Sequence, residues 1–365
     1  MSKKTEDIAV KKPAVIKKKE FSLSEFKKSK GLDESIKFKE QQWIELSPAF
    51  QEICGIPGFA LGHINLIRGH SDTGKTTAML EGAVKCQKMG ILPVFIITEM
   101  KWSWEHAKEM GLEVNEVVNE ETGEVEYEGF FIYNDRAKLK TIEEVAKFIH
   151  ELLDEQEKGN LPYDLTFFWD SIGSVPCELS VKSNKNNNEW NAGAMSVQFG
   201  GSVNQRIVMS RKVINPYTNT LVCVNKIWVA KAENIMAQPK MKNKGGDTMY
   251  FDSSLIFTFG NVTNAGTSKV VAQKSGLQFE YAKITKVEVT KNHVTGLQTT
   301  GRIVMTPHGF IRNTNKDLEI YKKEHAKNWV KKYSSLIGDE TDDSFETVIE
   351  AEMLEENMLN EPENE

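Results

Sequence analysis

No stretch of this 365-residue chain comes near the run of about eighteen apolar residues that a membrane-spanning helix needs. The lysines at its start are followed by no apolar core of the kind a secretory signal carries, so an intracellular, cytoplasmic location is expected. Cysteine is scarce too. The four, Cys54, Cys86, Cys177 and Cys223, lie far apart and form no C-x-x-C pair, which removes support for a zinc site or a disulfide framework and leaves reduced, buried thiols. Lysine and arginine are missing altogether from residues 338–365, which hold twelve Asp or Glu, whereas residues 1–30 hold ten Lys against four acids. The net charge of −6 therefore hides a neutral middle between a basic arm and an acidic tail. Such terminal blocks are disordered and often interact, although a purely solubilising tail explains the acidic end as well. No internal repeat is present.

What the chain does carry is Gly69-His70-Ser71-Asp72-Thr73-Gly74-Lys75-Thr76, a complete G-x-x-x-x-G-K-[ST] phosphate loop. Ahead of it, His63 to Arg68 alternates apolar residues as a buried strand does. Behind it, Thr76 to Met89 carries Met79, Leu80, Ala83 and Val84 at helical spacing and stops at Gly90. That context gives the motif a mechanical meaning. The glycines let successive N–H groups converge, and the helix N-terminus adds free donors and the positive end of its dipole. ATP is the expected ligand, with Lys75 reaching its outer phosphates, the Thr76 hydroxyl taking a Mg²⁺ position and Thr77 following in the first helical turn. A chance glycine-rich turn is the competing reading, and correct flanks make it rare.

Pro93 to Thr98 is an apolar run of the kind buried on both faces of a parallel sheet, and Glu99 closes it. Open α/β sheets place ligands outside the carboxyl ends of their strands, so Glu99 is expected beside the phosphate loop, where a carboxylate can orient and deprotonate water. An acid at the N-terminus of a helix from Met100 to Met110 is the plain alternative. Leu165 to Asp170 is a second such strand in the Walker B pattern, its Asp170 facing Mg²⁺ opposite Thr76. Thr220 to Val224 is a third, ending in Asn225. Glu121 to Glu124 reads as a hairpin turn, Thr141 to Glu157 as an amphipathic helix, and Ser254 to Phe259, Tyr281 to Thr290 and Gly301 to Met305 as strands. The fold class is α/β: a nucleotide-binding core with a central, mostly parallel sheet flanked by helices.

Two stretches point to a polyanion. Lys182 to Gly201, with Lys185 and Trp190 among five asparagines and three glycines, fits neither strand nor amphipathic helix and is expected as a long mobile loop. A helix follows from Asn204 to Ile214, carrying Arg206. Lys226 to Lys244 sets Lys226, Lys231, Lys240, Lys242 and Lys244 against the single acid Glu233 and closes on Gly245-Gly246. A basic, glycine-terminated loop near a nucleotide site suits contact with a phosphate backbone, and a solvated lysine-rich loop is the alternative.

In this order and spacing the motifs resemble the RecA-type recombinases, and within them the compact phage, UvsX-like forms. The resemblance runs from about Ser47 to Phe310 through Gly69 to Thr76, Phe95 to Glu99, Leu165 to Ser171, Val224-Asn225 and Gly245 to Phe251. It implies Lys75, Thr76 and Asp170 on ATP and Mg²⁺ and Glu99 as general base. It also implies two DNA-binding loops, around Lys182 to Gly201 and Lys226 to Lys244. Phe251 falls where the family inserts an aromatic into the neighbouring subunit, and Lys291 where it sends a lysine onto the neighbour's ATP. His106 is the positional match to the aromatic stacked on adenine, with Trp102 and Trp104 nearby. Three departures stand out: Lys226 replaces a γ-phosphate-sensing Gln, His293 replaces a second interface lysine, and only one helix, Asp317 to Leu336, precedes the acidic tail.

The expectation is a DNA-dependent ATPase that forms helical homo-oligomers on single-stranded DNA and pairs it with double-stranded DNA. A single-strand-binding or loader protein is a further expected partner. A hexameric replicative helicase and a recombination mediator that hardly turns over ATP are the alternatives. Residues 1–45 are read as a basic arm and candidate polymerisation element, 46–310 as the ATPase and DNA-binding core, 311–337 as a C-terminal helix and 338–365 as a disordered acidic tail.

Overall fold

The computed structural model describes residues 21–31, 37–120, 122–230, 240–261, 264–274, 277–325 and 346–350. Residues 1–38 form one unit and residues 39–365 another. In the first, Ser22 caps α1 (Leu23–Ser29) by accepting the Glu25 amide N–H. Residues 1–20 of the expected basic arm lie outside the described residues.

The second unit opens with β1 (Trp43–Glu45), α2 (Pro48–Cys54) and β2 (Gly58–Ala60), followed by β3 (Ile64–Gly69), whose six residues are all buried. Helix α3 (Lys75–Met89) starts behind Gly74 at φ 100° and stops at Gly90 at φ 71°, both left-handed conformations that favour glycine. Next come β4 (Leu92–Ile97), α4 (Trp104–Glu109) and the hairpin β5 (Asn115–Val118) with β6 (Val125–Glu128); of the turn expected at Glu121 to Glu124, Glu121 lies outside the described residues. After β7 (Ile132–Asp135), α5 (Ile142–Glu157) starts on a capping box in which Thr141 and Glu144 satisfy each other's backbone N–H groups. Strand β8 (Leu165–Asp170) is wholly buried.

The stretch expected as a mobile loop, Lys182 to Gly201, is instead mostly helical, with α7 (Asn188–Met195) and a π-helical segment Ser196–Val203 between α6 (Glu178–Lys182) and α8 (Asn204–Met209), and α8 starts at the expected Asn204 but stops short of Ile214. Asn187 serves as a cap, its side chain accepting the amide N–H groups of Glu189 and Trp190. The apolar residues Met195, Phe199, Val203 and Ile207 recur at every fourth position and are buried, with Phe199 stacked on Trp169 at 4.9 Å between ring centroids. A wide π turn serves that spacing, so the pattern escapes a search for 3.6-residue periodicity.

Strand β9 (Thr220–Ala230) runs six residues past Val224 and returns as β10 (Lys240–Asn243), so the expected basic loop is a two-stranded ribbon at its base. Then follow α9 (Thr248–Asp252), β11 (Leu255–Phe259), β12 (Ser268–Lys274), β13 (Leu277–Asn292), β14 (Thr300–Thr306) and β15 (Gly309–Arg312). Residues 315–325 are helical, and the expected continuation to Leu336 lies outside the described residues. Within the stretch expected as a disordered tail, β16 (Glu346–Glu350) pairs antiparallel with β12. Its Thr347-Val348-Ile349 run is β-branched and suits a strand.

The sheet order is β15-β14-β13-β11-β3-β9-β8-β4-β7, with the six strands from β11 to β7 mutually parallel. One face packs on α2 and α3 through Phe50, Phe59, Met79 and Ala83, the other on α5 and the 188–209 helices through Ile149, Trp169 and Phe199. This is the mostly parallel α/β core that the sequence leads one to expect. All four cysteines are free and buried.

Candidate nucleotide site and nucleic-acid face

Parallel pairing decides which residues meet. Ile97 lies opposite Asp170, Asp170 opposite Val224, and Val224 opposite Ile67, so the carboxyl ends of β4, β8 and β3 reach one edge, and β9 runs on beyond it. Two residues further along, Lys226 pairs with Gly69 at the mouth of the phosphate loop. Gly69 has φ 156°, and a Cβ there would stand 2.3 Å from the Phe259 carbonyl oxygen, so the loop cannot leave β3 this way with any other residue.

Gly69 to Thr77, Glu99, Asp170 and Lys226 therefore come together. The Thr76 hydroxyl donates to Asp170 Oδ2 at 2.8 Å. Lys75 is buried and donates to the His70 carbonyl. Burial, partly offset by Asp170, holds its ammonium down to about 8. Burial also pushes the Asp170 carboxyl up, against the Thr76 hydrogen bond. At Glu99 burial acts in the same upward direction but loses: the hydrogen bond and charge of Lys226, then Lys101, hold that carboxyl below the usual range. Lys226 Nζ donates to Glu99 Oε1 at 2.5 Å, Lys101 Nζ stands 3.7 Å away, and Ser171 Oγ donates to Glu99 Oε2 at 3.3 Å. The surroundings thus shift two neighbouring carboxylates in opposite directions.

Trp102 shares the lining of this cleft with Lys75, Glu99 and Asp170. Its indole N–H is buried without a hydrogen-bond partner, and its ring packs on Phe95 at 5.0 Å. His106 does not line the cleft; it sits on α4, where burial lowers its imidazole against the pull of Glu109. Asn225 is buried behind the site and donates from Nδ2 to the Lys244 carbonyl at 3.0 Å, tying the base of the ribbon to its return strand. Lys291 donates to the carbonyls of Tyr250 (3.1 Å) and Phe251 (2.7 Å), satisfying the end of α9, while Phe251 itself is 70% exposed.

The expected nucleic-acid residues divide. Lys185 and Lys244 line one cleft of ≈ 420 Å³ together with Arg136, which sequence reading passed over because it stands alone in a polar stretch. Gly245 and Gly246, at φ 83° and 90°, make the turn that closes the ribbon. Lys240 and Lys242 lie on β10, and Lys231 lies outside the described residues. Lys182 pairs with Glu178 at 2.8 Å. Trp190 is half-buried against the core. Arg206 is engaged elsewhere, bonded to Asp154 at 2.8 Å and Glu157 at 2.7 Å on the α5 side.

The chain is similar to RecA proteins. It is 24% identical to Protein RecA of Clostridium acetobutylicum over 292 residues, which cover 72% of this chain and 81% of that one. It is 25% identical to Protein RecA of Clostridium perfringens over 251 residues, 63% of this chain and 70% of that one. With Protein RecA of Francisella philomiragia the identity is 28% over 152 residues, 39% and 42% of the two chains. No protein-family model matches the chain. Among the described residues no helix is long and apolar enough to cross a membrane.

Proposed function

We propose that this protein is a DNA-dependent ATPase of the recombinase type, which assembles on single-stranded DNA and promotes homologous pairing and strand exchange. The observation that carries the reading is the register of β3, β8, β4 and β9, which sets the phosphate loop, Asp170, Glu99 and the root of a basic ribbon side by side. Similarity to RecA proteins over most of the chain supports it.

The donor set suits a magnesium nucleotide. Among the described residues no cluster of three His, Cys, Asp or Glu could hold a metal, and Mg²⁺ bound to phosphates needs none: it takes one or two protein oxygens and keeps its waters. Thr76 Oγ1 and the Asp170 carboxylate, 2.8 Å apart and partly buried, would supply those oxygens. Bound there, the ion would neutralise charge on the outer phosphates. Lys75 would turn from the His70 carbonyl to the same phosphates. Glu99 accepts the proton of the attacking water, a role for which a carboxylate kept ionised is suited. Lys226 touches that base and is also the first residue of the projecting ribbon, so whatever draws its ammonium away from Glu99 acts on both. Differential affinity of two ribbon positions for DNA and for ATP would couple the sites.

Electron microscopy of the purified protein with ATP, Mg²⁺ and single-stranded DNA tests the reading. Long helical filaments and DNA-stimulated hydrolysis are expected. Closed six-membered rings would favour a helicase, and ATP binding without turnover a mediator.

A further inference from the structure

Strand β4 ends at Ile97, and Glu99 stands two residues beyond it, where the ladder no longer holds the chain. Other groups take over. The Thr98 and Glu99 amides both donate to the Asp170 carbonyl, at 2.8 and 3.0 Å, and fasten the backbone. The Thr98 hydroxyl is buried and accepts the Trp169 indole N–H at 3.0 Å, so its own proton goes to the Ser171 carbonyl, also at 3.0 Å. Neither direction can reverse, because an indole only donates and a carbonyl only accepts. Ser174 Oγ lies 2.6 Å from both Thr98 Oγ1 and the Ser171 carbonyl, and draws the 3₁₀ turn Ile172–Ser174 onto the same point. Trp169 is fully buried and stacked on Phe199, which gives this network a rigid back wall.

The network ends at Glu99. Ser171, whose carbonyl Thr98 holds, donates from Oγ to Glu99 Oε2 at 3.3 Å, while Lys226 holds Oε1. That separation already exceeds the usual O–H···O range of about 2.5–3.0 Å, so a small displacement of Ser171 breaks the bond. The position of Ser171 therefore matters, and the Thr98 hydroxyl sets it from behind. Thr98 itself does not line the nucleotide cleft, so its effect on hydrolysis passes through its neighbours. A buried threonine that only satisfied an indole would need no bond to the segment carrying Ser171. We propose that Thr98 is a positioning residue for Glu99: its hydroxyl fixes Ser171 against the end of β4, and Ser171 keeps Glu99 Oε2 in place when Lys226 releases Oε1. The proposal rests on Glu99 being the base, as read above, and names the groups that hold it. A base with one oxygen held meets the attacking water in one orientation, and misplacing it by about 1 Å costs roughly a hundredfold in rate.

The test uses the full-length protein with ATP, Mg²⁺ and saturating single-stranded DNA. It compares the parent with Thr98→Val, Thr98→Ser, Ser171→Ala and Thr98→Val combined with Trp169→Phe, measuring kcat, the KM for ATP and the thermal midpoint of each. Thr98→Val should lower kcat roughly tenfold to a hundredfold with KM within about twofold of the parent, because only the base is misplaced. Thr98→Ser keeps the hydroxyl and should recover most of kcat. Ser171→Ala leaves the Trp169 bond intact and should lower kcat with a midpoint near the parental one. Thr98→Val also leaves the Trp169 N–H buried without an acceptor and should lower the midpoint; Trp169→Phe removes that donor, so the combined variant should regain stability while kcat stays low. Recovery of kcat along with the midpoint, or parental kcat in Thr98→Val or Ser171→Ala, would show that Thr98 serves the fold alone and overturns the proposal. So does a rise in KM larger than the fall in kcat, which would place the loss in nucleotide binding. Parental hydrolysis by Glu99→Gln would sink the base reading itself, and that is seen without any change at Thr98.

Discussion

Charge is handled in opposite ways on the two strands of the β9–β10 ribbon. On β9, Lys226 holds Glu99 beside the buried Lys75 and Asp170, and these close neighbours shift the Glu99, Lys75 and Asp170 groups. Across from it, positions 240 to 244 follow the return strand, and Lys244, whose amide bonds to the Lys226 carbonyl, is exposed to water. In the first place each charge is held by a specific partner, such as the 2.5 Å bond from Lys226 to Glu99, so a single change alters chemistry. In the second, charges act through screened, nearly additive attraction to a polyanion, so single changes are small and salt-dependent.

Removing the buried partners should give the largest effects. Glu99→Gln should leave ATP binding intact and slow hydrolysis by about 10² to 10⁴-fold, since only the proton acceptor is lost. Lys75→Ala should lose ATP binding itself. Nucleotide binding and single-turnover hydrolysis measured in parallel separate the two, and parental hydrolysis by Glu99→Gln in the presence of DNA would remove Glu99 from the mechanism.

On the exposed side the effect should be smaller and graded. Changing Lys240, Lys242 and Lys244 together to Ala should flatten the dependence of log affinity on log salt by about 2, at about 0.7 per lost contact on a single strand. Arg206→Ala is the control. Its partners Asp154 and Glu157 are more than half exposed, so it should cost at most about 1 kcal/mol of stability and leave the slope alone. An unchanged slope in the triple variant would move the DNA path off the ribbon.

The mildest change should appear only as a function of pH. Lys226→Met removes the chief influence that outweighs burial at Glu99, so that carboxyl should rise. The base works only when ionised. In the parent its lowered pKa keeps hydrolysis alive as pH falls, and in the variant the acid limb of the kcat profile should move to higher pH. Coincident acid limbs would mean that the ion pair does not govern the base.

Legibility in the sequence follows the same division. Gly69 to Thr76, Glu99, Asp170 and Asn225 could be found because each stands at a fixed step from a buried apolar strand, and parallel strands in one sheet end on one side. Arg136 was passed over since it belongs to no local pattern, and Trp102 was named only as a neighbour of His106; they reach their clefts through chain segments that pack there only in three dimensions. Residues 188–201 were misread as a loop because part of the stretch is a π-helical segment and Asn187, loop-like by composition, acts as a cap.

By itself the sequence determined the parallel core and the phosphate loop, through strand-length apolar runs and a glycine pattern whose backbone geometry admits little else. Tertiary structure alone decided that Lys226 would hold Glu99 and that Arg206 would be engaged by α5. Those outcomes depend on the register between strands distant in sequence, and a one-residue slip in that register would turn every side chain of β9 to the opposite face.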